Sequence, residues 1–162
     1  MTLDRRMLLL GTATLAALGT SRVAETEALD RNKKDSKERV QGIGGFFFRS
    51  SDPKALADWY QQHLGIDPTP KDYGQPVWQQ AAGPTVFAPF PMETKYFGSP
   101  KQAWMMNFRV LNLDAMAAQL RASGIAVEID SQVYPNGRFA RVHDPDGNPI
   151  ELWEPAGRES AR

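Results

Sequence analysis

Apolar and polar positions along this chain run through one pattern twice, sixty residues apart. The first copy reads Phe46-Phe47-Phe48-Arg49-Ser50-Ser51-Asp52-Pro53-Lys54-Ala55-Leu56-Ala57, with Leu64-Gly65-Ile66 further on. The second reads Met106-Asn107-Phe108-Arg109-Val110-Leu111-Asn112-Leu113-Asp114-Ala115-Met116-Ala117, followed by Ser123-Gly124-Ile125. Each copy predicts a short apolar strand ending in Arg, a capping residue, an amphipathic helix and a glycine stop. In the first, Asp52 is a good N-cap and Pro53 stands at the first helical position, where a missing N–H costs nothing. Leu56, Trp59, Tyr60, His63 and Leu64 then fall on one helical face. The second repeats this with Asn112 as cap and a stripe of Leu113, Met116, Ala117 and Leu120.

Two or three short strands follow each helix. They are expected at Val77–Ala81 and Thr85–Phe90 after the first, and at Ala126–Asp130, Arg138–His143 and Pro149–Trp153 after the second. Asp144-Pro145-Asp146-Gly147-Asn148 carries Pro and Gly where a tight turn needs them. Strand parity separates two faces. Phe46, Phe48, Met106, Phe108, Val110, Ile150 and Leu152 belong to an apolar face that helices should cover. Gly45, Phe47, Arg49, Met105, Asn107, Arg109, Phe139, Arg141, His143, Glu151 and Trp153 belong to the other. The predicted fold class is therefore α+β, two βαβββ modules forming a curved mixed sheet around a cleft. A mixed polar and aromatic inner face suits a small molecule.

Composition narrows the chemistry. The 19 basic residues balance the 19 acidic ones, and residues 42–156 hold nine Lys and Arg against twelve Asp and Glu, a net charge of −3. No basic face for nucleic acid is present. With no cysteine, disulfides, thiolate metal sites and a Cys nucleophile are excluded. Residues 1–20 pair Asp4-Arg5-Arg6 with an apolar run to Gly19, the layout of an export signal. That run is shorter than the roughly 20 residues of a stable membrane span, and its paired arginines resemble a twin-arginine signal. The expected location is the periplasm, with the cytoplasm as alternative. Residues 21–41 read as a polar linker, residues 42–156 as the domain (modules about 42–98 and 99–156), and residues 157–162 as a tail.

Ser51-Asp52-Pro53 through Trp59-Tyr60-Gln61-Gln62-His63-Leu64-Gly65, together with His143-Asp144-Pro145-Asp146-Gly147-Asn148-Pro149-Ile150-Glu151-Leu152, resemble the vicinal oxygen chelate superfamily of glyoxalase I, bleomycin-resistance proteins and extradiol dioxygenases. The resemblance covers residues 42 to about 156 and implies paired βαβββ modules. It also implies a divalent metal held by residues from the first and last strand of each module. Those positions fall on Gly45, Thr85 or Val86, Met105 and Glu151, so only Glu151 matches a usual ligand, and Gly45 and Met105 replace others. About three protein ligands are the common requirement of a catalytic ion. No metal and no other cofactor is therefore expected.

The candidate ligand-binding residues are Phe47, Arg49, Asn107, Arg109, Arg141, Glu151 and Trp153; no catalytic residue is assigned. Arg49 and Arg109 are suited to an anionic group by forked hydrogen bonds, or they serve as strand-end cations. Glu151 is either a remnant ligand or acid/base, or a partner of an Arg on its face. His63 reads as a packing residue and His143 as a turn residue. Asp144–Asn148 resembles the start of a calcium loop, but Pro149 and Pro155 stand where that loop needs Gly and a bidentate Glu. The leading expectation is a small-molecule-binding protein whose ligand has an anionic end and an apolar body. A homodimer is compatible with it, and no nucleic acid or stable membrane span is expected. The alternative is a metal-dependent lyase, isomerase or dioxygenase with atypical ligands.

Overall fold

The structure, a computed structural model, describes residues 38–157. The export-signal-like segment, most of the linker and residues 158–162 of the tail lie outside the described residues. The chain divides between Phe46 and Phe47 into two units. Of the first unit, residues 38–46 are described, and they are exposed and carry neither helix nor strand.

The second unit is built from two helices and four strands: α1 (Pro53–Leu64), β1 (Met106–Arg109), α2 (Leu113–Ala122), β2 (Glu128–Ile129), β3 (Gly137–His143) and β4 (Pro149–Pro155). Helix α1 starts and stops where its sequence signals stand. The Asp52 carboxylate accepts from the Ala55 N–H at 3.0 Å, Pro53 opens the helix, and Gly65 closes it at φ +68°. That left-handed conformation favours glycine. Helix α2 is capped twice. Asn112 accepts from the Ala115 N–H at 2.8 Å, and Glu154 of β4 accepts from the Leu113 N–H at 2.6 Å. The second cap ties the helix start to the sheet and satisfies a donor that the helix cannot satisfy itself.

The second copy of the repeat is thus a βαβββ unit in an open mixed sheet of order β1-β4-β3-β2. Strands β1 and β4 run parallel, with Met106 opposite Ile150 and Arg109 opposite Trp153. Strands β3 and β4 pair antiparallel from Gly137–Pro155 to His143–Pro149, and β2 adds a short antiparallel edge. Leu113, Ala117 and Leu120 of α2 close over Ala140, Val142, Ile150 and Leu152 to make the core, with Val110 and Val127 at its margin. Trp59, Tyr60 and Leu64 of α1 pack against the same cluster.

The first copy differs from expectation in its strands. Among the described residues, Phe46–Phe48, Val77–Ala81 and Thr85–Phe90 are not strands. Composition explains the later two segments. Pro76, Pro84, Pro89 and Pro91 each remove a ladder donor, and Gly83 adopts φ +159° between them. In the second copy the expected strand Ala126–Asp130 shortens to Glu128–Ile129, while β4 continues two residues beyond Trp153 to Pro155.

Candidate functional site

The sheet face opposite the core carries two rows of side chains set by register. Because Asn107 pairs with Glu151 and Glu151 with Arg141, these three form one row across β1, β4 and β3. Two residues along each strand, Arg109, Trp153 and Phe139 form the next. Alternation of side chains along a strand puts both rows on the same face.

Glu151 is the centre of the first row and is 6% exposed, an unusual state for a carboxylate. Both of its oxygens are engaged. The Tyr96 hydroxyl donates to Oε1 at 2.5 Å, and the Asn107 amide donates to Oε2 at 2.8 Å. A guanidinium nitrogen of Arg141 stands 4.0 Å from Oε1, and that guanidinium also lies 4.3 Å from the centre of the Tyr96 ring, a favourable cation–π arrangement. Burial, followed by the adjacent Glu151 carboxylate, raises the Tyr96 phenol above its ordinary pKa; Arg141 opposes that rise. The phenol therefore stays a donor at neutral pH.

In the second row the Phe139 and Trp153 rings are parallel within 3°, with centroids 6.2 Å apart. The Trp153 indole N–H donates to the Asn136 carbonyl at 2.8 Å, which fixes the ring's orientation. Arg109 donates to the carbonyls of Ala81 at 2.7 Å and Ala82 at 3.2 Å. Carbonyls satisfy hydrogen bonds without cancelling charge, and a guanidinium has five donors.

Sequence reasoning thus named five of the residues that stand together here: Asn107, Arg109, Arg141, Glu151 and Trp153. Arg49 and Phe47 belong to the segment preceding α1, which carries neither helix nor strand. Both are exposed, Phe47 to 93%, and no hydrogen bond among the described residues joins Arg49 to Glu151 or Arg109. Tyr96 was missed, because its Met92–Pro100 surroundings have no periodicity from which to place it. Asp144 was read as a turn residue, yet it is 5% exposed and accepts from the Tyr60 hydroxyl at 3.0 Å. It also accepts from the Asn148 N–H and side-chain amide, each at 2.8 Å. Ser51 donates its hydroxyl to Asp146 at 2.5 Å. The two motifs that carry the family resemblance are therefore in contact, one from the start of α1 and one from the β3–β4 turn.

The residues at the metal positions do not fit a divalent ion. Gly45 offers no side chain, and both Glu151 oxygens already accept from Tyr96 and Asn107. Among the described residues, no group of three or more His, Cys, Asp or Glu stands close enough to hold an ion. Among the described residues, no helix is long and apolar enough to cross a membrane.

Comparison with known proteins agrees with this architecture. The family model described as "Glyoxalase-like domain" matches residues 45–153. TnmS3, an antibiotic binding protein from Streptomyces sp. CB03234, is 23% identical, with 74% of this chain and 100% of that chain covered and a TM-score of 0.51. A glyoxalase/bleomycin resistance protein from the same strain is 25% identical over 64% of this chain and 92% of its own, with a TM-score of 0.39. A glyoxalase/bleomycin resistance protein/dioxygenase from Nocardioides is 22% identical over 85% and 98%, with a TM-score of 0.44. No curated protein matches the chain.

Proposed function

The chain belongs to the glyoxalase-like domain family, and from that premise we propose that it is a small-molecule-binding protein of the bleomycin-resistance type, working without the catalytic divalent ion of the family's enzymes. One observation carries this reading: the one family-type metal ligand, Glu151, has both oxygens engaged by Tyr96 and Asn107. It sits in a face otherwise made of guanidinium groups and aromatic rings. The fold hosts several chemistries, so the site and not the fold decides.

The ligand proposed is an anion with an apolar, aromatic body. Arg109 supplies charge that no carboxylate among its hydrogen-bond partners cancels, and the half-buried Phe139 ring, backed by the buried Trp153, supplies flat apolar surface. A solved protein sharing the fold is described as antibiotic-binding, so antibiotics with an acidic group and a fused aromatic body are the first compounds to screen. The paired arginines and apolar run of residues 4–19 support an exported, periplasmic location. The deciding experiment is elemental analysis of protein purified without chelator. Zinc, nickel, iron and manganese should each lie far below one equivalent. A metal near one equivalent, lost in Glu151→Ala, would reverse the reading in favour of a metal-dependent enzyme.

A further inference from the structure

Glu151 lies on the ligand face, yet with Tyr96 in place it is 6% exposed. Tyr96 itself belongs to neither helix nor strand. The backbone bonds of its segment are local, from Thr94 N–H to Pro91, Gly98 N–H to Lys95 and Gln102 N–H to Ser99. The tip of Tyr96 reaches the sheet, where its hydroxyl meets Glu151 and its ring meets the Arg141 guanidinium. Phe90 stacks on Tyr96 at 5.2 Å and is itself 44% exposed. A rigid sheet thus holds the carboxylate, and a segment of turns holds the phenol that covers it.

We propose that Tyr96 is the specificity-determining residue of this face: its phenol holds the Glu151 carboxylate as an internal substitute for a ligand's donor. A molecule gains access to Glu151 only if it brings an O–H or N–H group to replace that phenol. The proposal rests on the small-molecule reading above and names the ligand class more closely, an aromatic anion that also carries a hydrogen-bond donor. The physical reason is the asymmetry of buried hydrogen bonds. Exchanging one donor for another on a carboxylate is nearly neutral, whereas displacing the phenol with an apolar group leaves a buried charge under-satisfied. A ligand of this kind has a natural span. Arg109 and Glu151 are diagonal neighbours across the parallel β1–β4 pairing, and a two-residue rise of about 6.6 Å with a strand spacing of about 4.8 Å sets their Cα atoms about 8 Å apart. A para-substituted benzene ring lying on this face can offer its anion to Arg109 and its donor to Glu151.

The test uses the full chain and two probes of nearly one shape, 4-hydroxybenzoate and 4-methoxybenzoate, with affinities measured by ligand-observed NMR titration. The hydroxylated probe should bind the wild-type protein at least about tenfold more tightly, the ratio expected for one charge-assisted hydrogen bond. Tyr96→Phe removes the internal competitor but keeps the ring under Arg141. It should tighten 4-hydroxybenzoate by roughly tenfold while preserving the preference for it. Glu151→Gln, which keeps the shape and removes the charge, should shrink that preference severalfold. Equal affinity of the two probes for the wild type overturns the proposal alone, as does weaker binding of 4-hydroxybenzoate to Tyr96→Phe. Binding of neither probe to either protein refutes the small-molecule reading and takes the proposal with it.

Discussion

Tyr60→Phe removes a single oxygen, and the structure sets what that oxygen is worth. The Tyr60 hydroxyl donates to Asp144 Oδ2 across 84 positions of sequence, joining α1 to the β3–β4 turn. The Tyr60 ring, which packs at 5.2 Å on Trp59 and 6.4 Å on Phe108, survives the substitution, so no cavity term enters. What is lost is a charge-assisted hydrogen bond to a carboxylate that is 5% exposed and keeps the two donors of Asn148. Such a bond contributes about 1.5–3 kcal/mol. With a urea slope of about 1–3 kcal/mol/M for a small domain, the unfolding midpoint should fall by about 1 M. Tyr134→Phe is the control. It deletes the same oxygen from a 2.9 Å bond to Asp130, but that bond is exposed to solvent and the midpoint should barely move. Alkaline pH adds a second readout. Burial first, then Asp144, raises the Tyr60 phenol above its ordinary 10.0, so above about pH 10 the folded state binds more protons than the unfolded chain. Stability therefore falls as pH rises past that value, and the fall should be shallower in Tyr60→Phe. Equal effects of the two substitutions, or no coupling between Tyr60→Phe and Asp144→Asn in a double-mutant cycle, would refute the argument.

Four further outcomes are expected. Gly137→Ala places a Cβ against the Glu154 carbonyl and 2.8 Å from the Trp153 indole nitrogen at φ +133°, so it should cost on the order of 1–3 kcal/mol in urea unfolding; a neutral result would show that the β3–β4 crossing gives way freely. Arg138 lowers the Asp114 pKa, chiefly through its side-chain hydrogen bonds, so that pair stabilises the fold above the ordinary carboxyl value and the gain is lost as pH falls through the lowered one. Arg138→Met should flatten that part of the acid-unfolding curve, and an unchanged curve would remove the pair from the account. A chain starting at Gln41 should melt at nearly the same temperature as the full chain by scanning calorimetry, whereas residues 1–30 fused to a reporter should export it unless Arg5 and Arg6 are both changed to Lys; a drop of many degrees or a cytoplasmic reporter would count against the domain boundary or the location.

Much of this architecture is written in local chemistry, and the exceptions have physical causes. Helix α1 was legible residue by residue because cap, proline, stripe and glycine stop agree. The face of β4 was legible because parity is fixed by the pleat, so placing Ile150 and Leu152 in the core forces Glu151 and Trp153 outward. The expected strands Val77–Ala81 and Thr85–Phe90 do not form although their apolar runs suggest them, because Pro89 lies within the second and Pro76, Pro84 and Pro91 flank the two. Arg109 was legible as a face residue, but its bonds to Ala81 and Ala82 depend on a loop whose path no periodicity encodes. Tyr96 is the extreme case. Its role arises from a contact with a residue 55 positions away, made by a segment of turns. The Tyr60–Asp144 contact lies between extremes: both residues belong to motifs visible in the sequence, and only the structure joins them.

Whether the ligand face works without a metal is read by titrating 4-hydroxybenzoate, or the best binder from the acidic antibiotic screen, into protein held in excess chelator. Wild type and Arg109→Ala should be measured side by side by isothermal titration calorimetry. Chelator should leave the wild-type affinity unchanged, and Arg109→Ala should weaken it by roughly ten- to a hundredfold, the ratio expected for a charge-assisted contact. Affinity that disappears in chelator and returns with a stoichiometric divalent ion would contradict the metal-free reading.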